Sequence, residues 1–255
     1  MFRRSREQLA RLRDDPSAWE TVAYAEERDE HDDQLDRNES AREAVLQALQ
    51  YDRRPEDAGL LRFLLEQEVL WHEDSELQGL TESLALACYL VGLMRAPEDI
   101  WRLARAKAAN FDTECGLARE LLFGAGVAET IAYVEASGRA NAASTLAVLV
   151  DAGQPLCSQE DVDGYWQAMR GYYPASPELE HPLTVASRAV DQDELEEGVA
   201  ALERWLADAE RIAEEGERTV ATDARWAADL VRSLLDLEPA EALRGRLAAI
   251  EAGLP

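Results

Sequence analysis

Twelve consecutive residues from Ser83 to Met94 carry no charge, and apolar side chains fall on every side of a 3.6-residue helical wheel. Ser75 and Gln78 stand at capping-box spacing ahead of this run. The pattern predicts a helix over 75–94, packed on every side and central to a helical protein. Its twelve uncharged residues are too few to cross a bilayer, which takes roughly 18–20. Around it the pattern is amphipathic. Leu60, Leu61, Leu64, Leu65 and Val69 mark one helix, and Val45, Leu46 and Leu49 another. Trp19, Val22 and Ala23 lie at helical spacing after the Asp15-Pro16-Ser17 break. Pro-Glu-Asp at 55–57 and again at 97–99 puts proline and acids where helices begin. The second of these opens a helix with Ile100, Trp101, Leu103 and Ala104. Asp112 is placed to cap the next, with Leu117, Leu121 and Leu122 inward, and Ser158 to cap one with Val162, Trp166 and Met169 inward. No stretch alternates as a strand does, so the expected class is all-α.

Pro174, Pro177 and Pro182 fall within GYYPASPELEHP, the clearest break in the chain. Beyond it, Leu195, Val199, Leu202, Leu206 and Ala209 repeat with a 4, 3, 4, 3 spacing. Val220, Ala224, Ala227, Val231 and Leu234 do the same. Two such seams joined by a short turn predict an antiparallel helical hairpin, closed by Leu243, Leu247 and Ile250. The organisation read from these signals is four segments. Residues 1–50 hold N-terminal helices with an acidic stretch, 51–170 a helical-repeat core, 171–190 a Pro-rich connection and 191–255 the hairpin.

Within the core, Leu121-Leu122-Phe123-Gly124-Ala125-Gly126 is echoed by Val148-Leu149-Val150-Asp151-Ala152-Gly153. Each copy reads as a pair of short helices ended by a left-handed glycine. With the 55–94 hairpin, these units resemble an irregular member of the HEAT/TPR class of helical repeats. The resemblance implies an α-solenoid-like stack of helical hairpins and a binding scaffold. It carries no catalytic residues.

Charge changes the picture more than any motif. Asp and Glu total 52 against 26 Lys and Arg, a formal charge of −26. Phosphate contacts need Lys and Arg, so duplex nucleic acid is not an expected partner. An anionic membrane surface is disfavoured for the same reason. A basic protein would be attracted, although acidity also serves solubility and tolerance of high salt. The densest acidic run, residues 25–40, reads as a solvated helix face or a mobile segment. Arg3, Arg4, Arg6, Arg11 and Arg13 make the N-terminus basic, and are expected to pair with acids of the same chain. That stretch has no apolar core of a secretory signal. Three cysteines without a C-x-x-C indicate neither a disulfide framework nor a zinc site. A cytoplasmic protein without cofactor or metal is expected.

Candidate chemistry is sparse. There is no phosphate-binding glycine loop, G-x-S-x-G or H-E-x-x-H. Glu178-Leu179-Glu180-His181 matches one half of a di-iron helix motif, but Pro182 follows and no second copy exists. His72, one turn after Glu68, is either a polarised imidazole or a helix-end histidine beside a core Trp71. Cys115 sits next to Glu114, which opposes thiolate formation. The stretch WRLARAKAANFDTECG gathers Arg102, Arg105 and Lys107, the chain's only lysine.

Two candidate partner surfaces follow: the acidic Asp29, Glu30, Asp32, Asp33 and Asp36, and the rim formed by Trp101, Arg105, Lys107, Asn110 and Asp112. The leading expectation is a non-enzymatic interaction module. Its concrete form is an acidic inhibitor or immunity-type protein of bacterial origin, neutralising a basic or nucleic-acid-targeting partner. The alternatives are a ligand-binding or enzymatic protein with a pocket near Trp71, Trp101 and Lys107, and a structural oligomer paired through the C-terminal seams.

Overall fold

A computed structural model describes residues 2–75, 79–215, 226, 227, 230, 243–246 and 248. The chain divides into two compact units, Glu7–Ala175 and Met1–Arg6 with Ser176–Pro255. The division falls inside the proline-rich stretch. Both units are helical, and the protein is all-α.

The Glu7–Ala175 unit is built around α4. Its elements in order are α1 (Arg3–Asp14, which starts in the other unit), a 3-10 turn Pro16–Val22, β1 (Glu26–Arg28), β2 (Gln34–Asp36) and α2 (Glu39–Tyr51). There follow α3 (Ala58–Asp74), α4 (Glu82–Gly92), α5 (Ile100–Lys107) and α6 (Phe111–Gly116). A 3-10 turn Arg119–Phe123 then leads to α7 (Val127–Ala136), α8 (Ala142–Ala147), β3 (Val150–Asp151), β4 (Gln154–Pro155) and α9 (Gln159–Tyr172). Helix α4 packs against α2, α3, α5 and the Arg119–Phe123 turn. Leu84, Ala87, Cys88 and Val91 are fully buried within it. This is the all-round burial that its uncharged sequence requires.

The start of α4 differs from the expected one. Thr81 is its N-cap, accepting from the Leu84 N–H at 3.2 Å. Ser75 closes α3 instead, its N–H bonding the Trp71 carbonyl. Gln78 lies outside the described residues. At its other end, α4 admits two close approaches. A β-carbon on Gly92 would stand 2.3 Å from the Trp166 ring, and one on Gly124 would stand 2.9 Å from the Gly92 carbonyl oxygen.

The two Pro-Glu-Asp signals act alike. Each forms a 3-10 turn that runs directly into a helix, α3 or α5. Each buries its aspartate under an arginine from another helix. Asp57 takes Arg13 Nε and Nη2 at 2.8 and 2.7 Å, and Asp99 takes Arg62 Nε and Nη2 at 2.8 and 2.9 Å. Arg13 therefore pairs within the chain, as expected for the basic N-terminus.

Two expectations are corrected. The chain contains strands: β1 and β2 form an antiparallel hairpin, with Glu27 opposite Leu35, and β3 and β4 form a second. The acidic run 25–40 is thus neither a helix face nor a mobile segment. Its inward positions are polar, Gln34 and Asp36, while Leu35 faces out. This inverts the usual strand signal. The sequence echo also splits. Gly126 (φ 112°) opens α7, whereas Ala152 and Gly153 (φ 48° and 80°) form the β3–β4 turn. The two copies share a left-handed glycine but not a helical hairpin, and no stack of equivalent units follows from them.

In the other unit, α10 (Pro182–Asp191) and α11 (Leu195–Glu215) form a helical hairpin. Phe2, Leu183, Ala186, Leu202, Trp205 and Leu206 are among its core side chains. Arg4 donates to Asp193 at 3.1 Å. Helix α10 occupies a span expected to be a connection. The partner expected for α11, residues 220–234, lies outside the described residues apart from Trp226, Ala227 and Leu230. No helix among the described residues is long and apolar enough to cross a membrane.

Candidate functional site

The acidic run resolves into an inside and an outside. Asp29 Oδ1 accepts from the His31 and Asp33 N–H groups at 2.8 and 2.9 Å, which fixes the turn between β1 and β2. Glu30, Asp32 and Asp33 are exposed on that turn. Asp36 is not a surface residue. Its Oδ2 lies 2.6 Å from Arg42 Nη2, and both side chains are fully buried. The contact is close but off the N–H axis, so it is a charge contact rather than an aligned hydrogen bond. Asp36 Oδ1 accepts from the Ala25 and Asn38 N–H groups, both at 3.0 Å. Arg42 Nε bonds Glu68 Oε1 at 2.6 Å, and Glu68 Oε2 accepts from the Ser83 hydroxyl at 2.8 Å. This network ties the hairpin, α2, α3 and α4 together.

His72 belongs to its edge. Its Nδ1 is 2.8 Å from the Glu68 carbonyl oxygen, which only accepts, so Nδ1 carries the proton. Nε2 then accepts from the Thr81 N–H at 3.3 Å. The ring is buried and holds the α3–α4 connection; the Glu68 carboxylate does not polarise it. Trp71 is buried beside Tyr24, with ring centroids 5.8 Å apart.

The rim residues separate as well. Asn110 caps α6, accepting from the Thr113 N–H at 2.9 Å, and its amide donates to the Gly79 carbonyl at 3.1 Å. Asp112, expected as the cap, is the second residue of that helix. Lys107 donates to the Glu114 and Leu117 carbonyls. Burial, with the nearby Arg119 charge, lowers its pKa. These three groups close the α5–α6 turn. Glu178 bonds Ser176, and His181 caps α10 and stacks on Trp226, so the E-x-x-H residues serve local structure.

Trp101 and Arg105 lie elsewhere, in a groove of about 890 Å³. Three helical faces line it, each at i, i+3/i+4, i+7 spacing. Arg62, Leu65, Glu66 and Val69 come from α3, and Trp101, Ala104, Arg105 and the C-cap Ala108, with Arg102 beside them, from α5. Asn141, Ser144, Thr145 and Val148 come from the α8 region. Gly138 (φ 61°) turns the chain after α7, and the next residue, Arg139, lies over Trp101 with Cζ 4.8 Å from the ring centroid. Neither Trp71, His72 nor Lys107 lines this groove.

Its electrostatics are nearly balanced. Arg62 is paired with Asp99 and Glu98, Arg102 with Asp99, and Arg105 with Glu73 and Glu66. Hydrogen bonds donated to Asp99 and Glu73 raise the pKa values of Arg62 and Arg105, keeping both charged. Arg139 is exposed and has no ion pair among the described residues. The groove therefore offers one uncommitted guanidinium over an apolar floor. Sequence reasoning found Trp101, Arg102 and Arg105 but missed Arg62, Arg139 and Val148. The available signal was arginine recurring beside apolar residues at helical spacing on separate helices.

No family model, curated protein or solved structure matches this chain.

Proposed function

We propose that this chain is a non-enzymatic binding module whose recognition surface is the Trp101 groove, and that its ligand is anionic. One observation carries the reading. In a chain of net charge −26, four arginines converge on one apolar floor, and Arg139 has no carboxylate among the described residues. A volume of about 890 Å³ lies within the usual range of ligand sites. Binding rather than catalysis is supported by the lining. Its carboxylates, Glu66 and Glu98, are both engaged by arginine, and no histidine, cysteine or lysine is among the described lining residues. General acid–base work needs a group free to change charge.

The test is thermal shift and calorimetry with a panel of small organic anions, on wild type and Arg139→Gln. At least one anion should raise the melting temperature of wild type and do so less in the variant. If every anion leaves wild type unmoved, the reading fails.

A second reading rests on the β1–β2 turn. Backbone bonds to Asp29 hold Glu30, Asp32 and Asp33 in a fixed, exposed arrangement, complementary to a basic protein. An inhibitor or immunity-type role in the cytoplasm is its concrete form. Asp36 has no part in it. Charge reversal at Glu30, Asp32 and Asp33 should slow capture of a basic partner at low salt; an unchanged association rate removes the turn from consideration.

A further inference from the structure

The groove is specific about charge number, and that narrows the ligand. Resting on the binding reading above, we propose that the groove takes a small monocarboxylic acid with a flat apolar body, its carboxylate on Arg139 and its body against Trp101 and Val148. Four guanidiniums stand at the groove. Three of them already meet four carboxylates, Glu66, Glu73, Glu98 and Asp99. The eight charges sum to zero, and only Arg139 has no acidic partner among the described residues. One added carboxylate pairs with Arg139, the guanidinium without an acid, and leaves the neighbouring pairs as they are. A second would meet no free cation there and would add to the repulsion of a chain at −26. Polyphosphates and polycarboxylates are therefore poor fits. No glycine is among the described lining residues, so the wall has no glycine-rich phosphate cradle.

The form of Arg139 selects a carboxylate. Arg139 Cζ stands 4.8 Å from the Trp101 ring centroid, and the N–H edge of its guanidinium makes no hydrogen bond or ion pair among the described residues. That edge matches a planar carboxylate through two parallel hydrogen bonds. The apolar body follows from the floor. Leu65, Val69 and Trp101 are already buried beneath it, so the apolar surface open to a ligand is Val148, 41% exposed, with Ala104 and Ala108 also lining the groove. An aryl group laid along them covers Val148 and stacks with the arginine–tryptophan pair.

The experiment compares three ligands of one shape on the full chain: naphthoate, the neutral naphthalenemethanol and the dianionic naphthyl phosphate. Calorimetry at fixed salt should find naphthoate bound about tenfold or more tighter than the alcohol, as a charge-assisted bidentate pair gives. Arg139→Gln should remove that preference, weakening naphthoate at least tenfold more than it weakens the alcohol. Because Arg139 is exposed, the variant is expected to fold as wild type does. Val148→Asp, at another exposed position, should weaken naphthoate more than the alcohol. If naphthyl phosphate binds tenfold tighter than naphthoate, the monocarboxylate assignment is overturned while the anion-binding groove stands. If none of the three binds, or naphthoate binding is unchanged in both variants, the monocarboxylate assignment is overturned, and the anion panel above decides the groove reading separately.

Discussion

Removing Arg42 should be the most damaging single substitution at a polar position in the Glu7–Ala175 unit. Arg42, Asp36 and Glu68 all have fully buried side chains, and Arg42 is in contact with both carboxylates at 2.6 Å. Arg42→Met keeps much of the volume and leaves two acids buried without their cation. Breaking one buried pair costs about 3–5 kcal/mol. Proton uptake sets a ceiling for each acid. Raising a carboxyl pKa from its ordinary value to above pH 7 costs about 4 kcal/mol. The expected loss at pH 7 is therefore about 4–7 kcal/mol, against a typical total of about 5–15 kcal/mol.

At pH 5 the same ceiling falls to about 1–2 kcal/mol per acid, so the variant should recover most of its deficit there. The triple variant Arg42→Met/Asp36→Asn/Glu68→Gln removes the charges but keeps acceptors for the Ala25 and Asn38 N–H groups and for Ser83. It should lie closer to wild type than Arg42→Met alone. Hydrogen–deuterium exchange of α2, α3 and α4 amides at pH 7 and pH 5 reads this unit separately from the other. A loss below about 1 kcal/mol at pH 7, or one that does not shrink at pH 5, would refute the buried-charge argument.

Three further outcomes are expected. The Glu39 pKa is raised by burial, with repulsion from Glu68 adding to it. A raised carboxyl pKa lowers stability as pH climbs from the unfolded value through the folded one, so Glu39→Gln should raise the melting temperature at pH 7 and have no effect near pH 3. Gly92→Ala should destabilise by more than the roughly 1 kcal/mol scale of a propensity change, because its β-carbon would meet the Trp166 ring at 2.3 Å. Urea unfolding compares it with Gly164→Ala, where nothing lies within 4 Å. Thr81→Val should cost about 1 kcal/mol through loss of the α4 cap to the Leu84 N–H, and Thr81→Ser should restore most of it in the same assay.

Apolar periodicity made α2 to α5, α9 and α11 legible, whereas α10, which buries Leu183, Ala186 and Ala189, reads as part of a connection because of the prolines around it. Leu60, Leu61, Leu64, Leu65 and Val69 of α3, and the uncharged run of α4 except Ala85, are buried, because the hydrophobic period that reports a helix is the same property that packs it. The paired Pro-Glu-Asp starts were legible for a local reason: proline and first-turn acids suit a helix N-terminus wherever it lies. What the sequence hid is burial by pairing. Asp36 reads as one more surface acid until Arg42 of α2 pairs with it and with Glu68 of α3 in the interior. The hairpin that carries it has its polar side inward, so periodicity gave the opposite signal. The groove was hidden likewise. Trp101 and Arg105 stood out by composition, but Arg62, Arg139 and Val148 join them only through helix packing. Local sequence thus marked the helices with an apolar seam or an uncharged run, and missed α10 and the two hairpins. Only the tertiary structure decided which charges cancel and which one is left over, because ion pairing depends on distances between segments that no sequence spacing encodes.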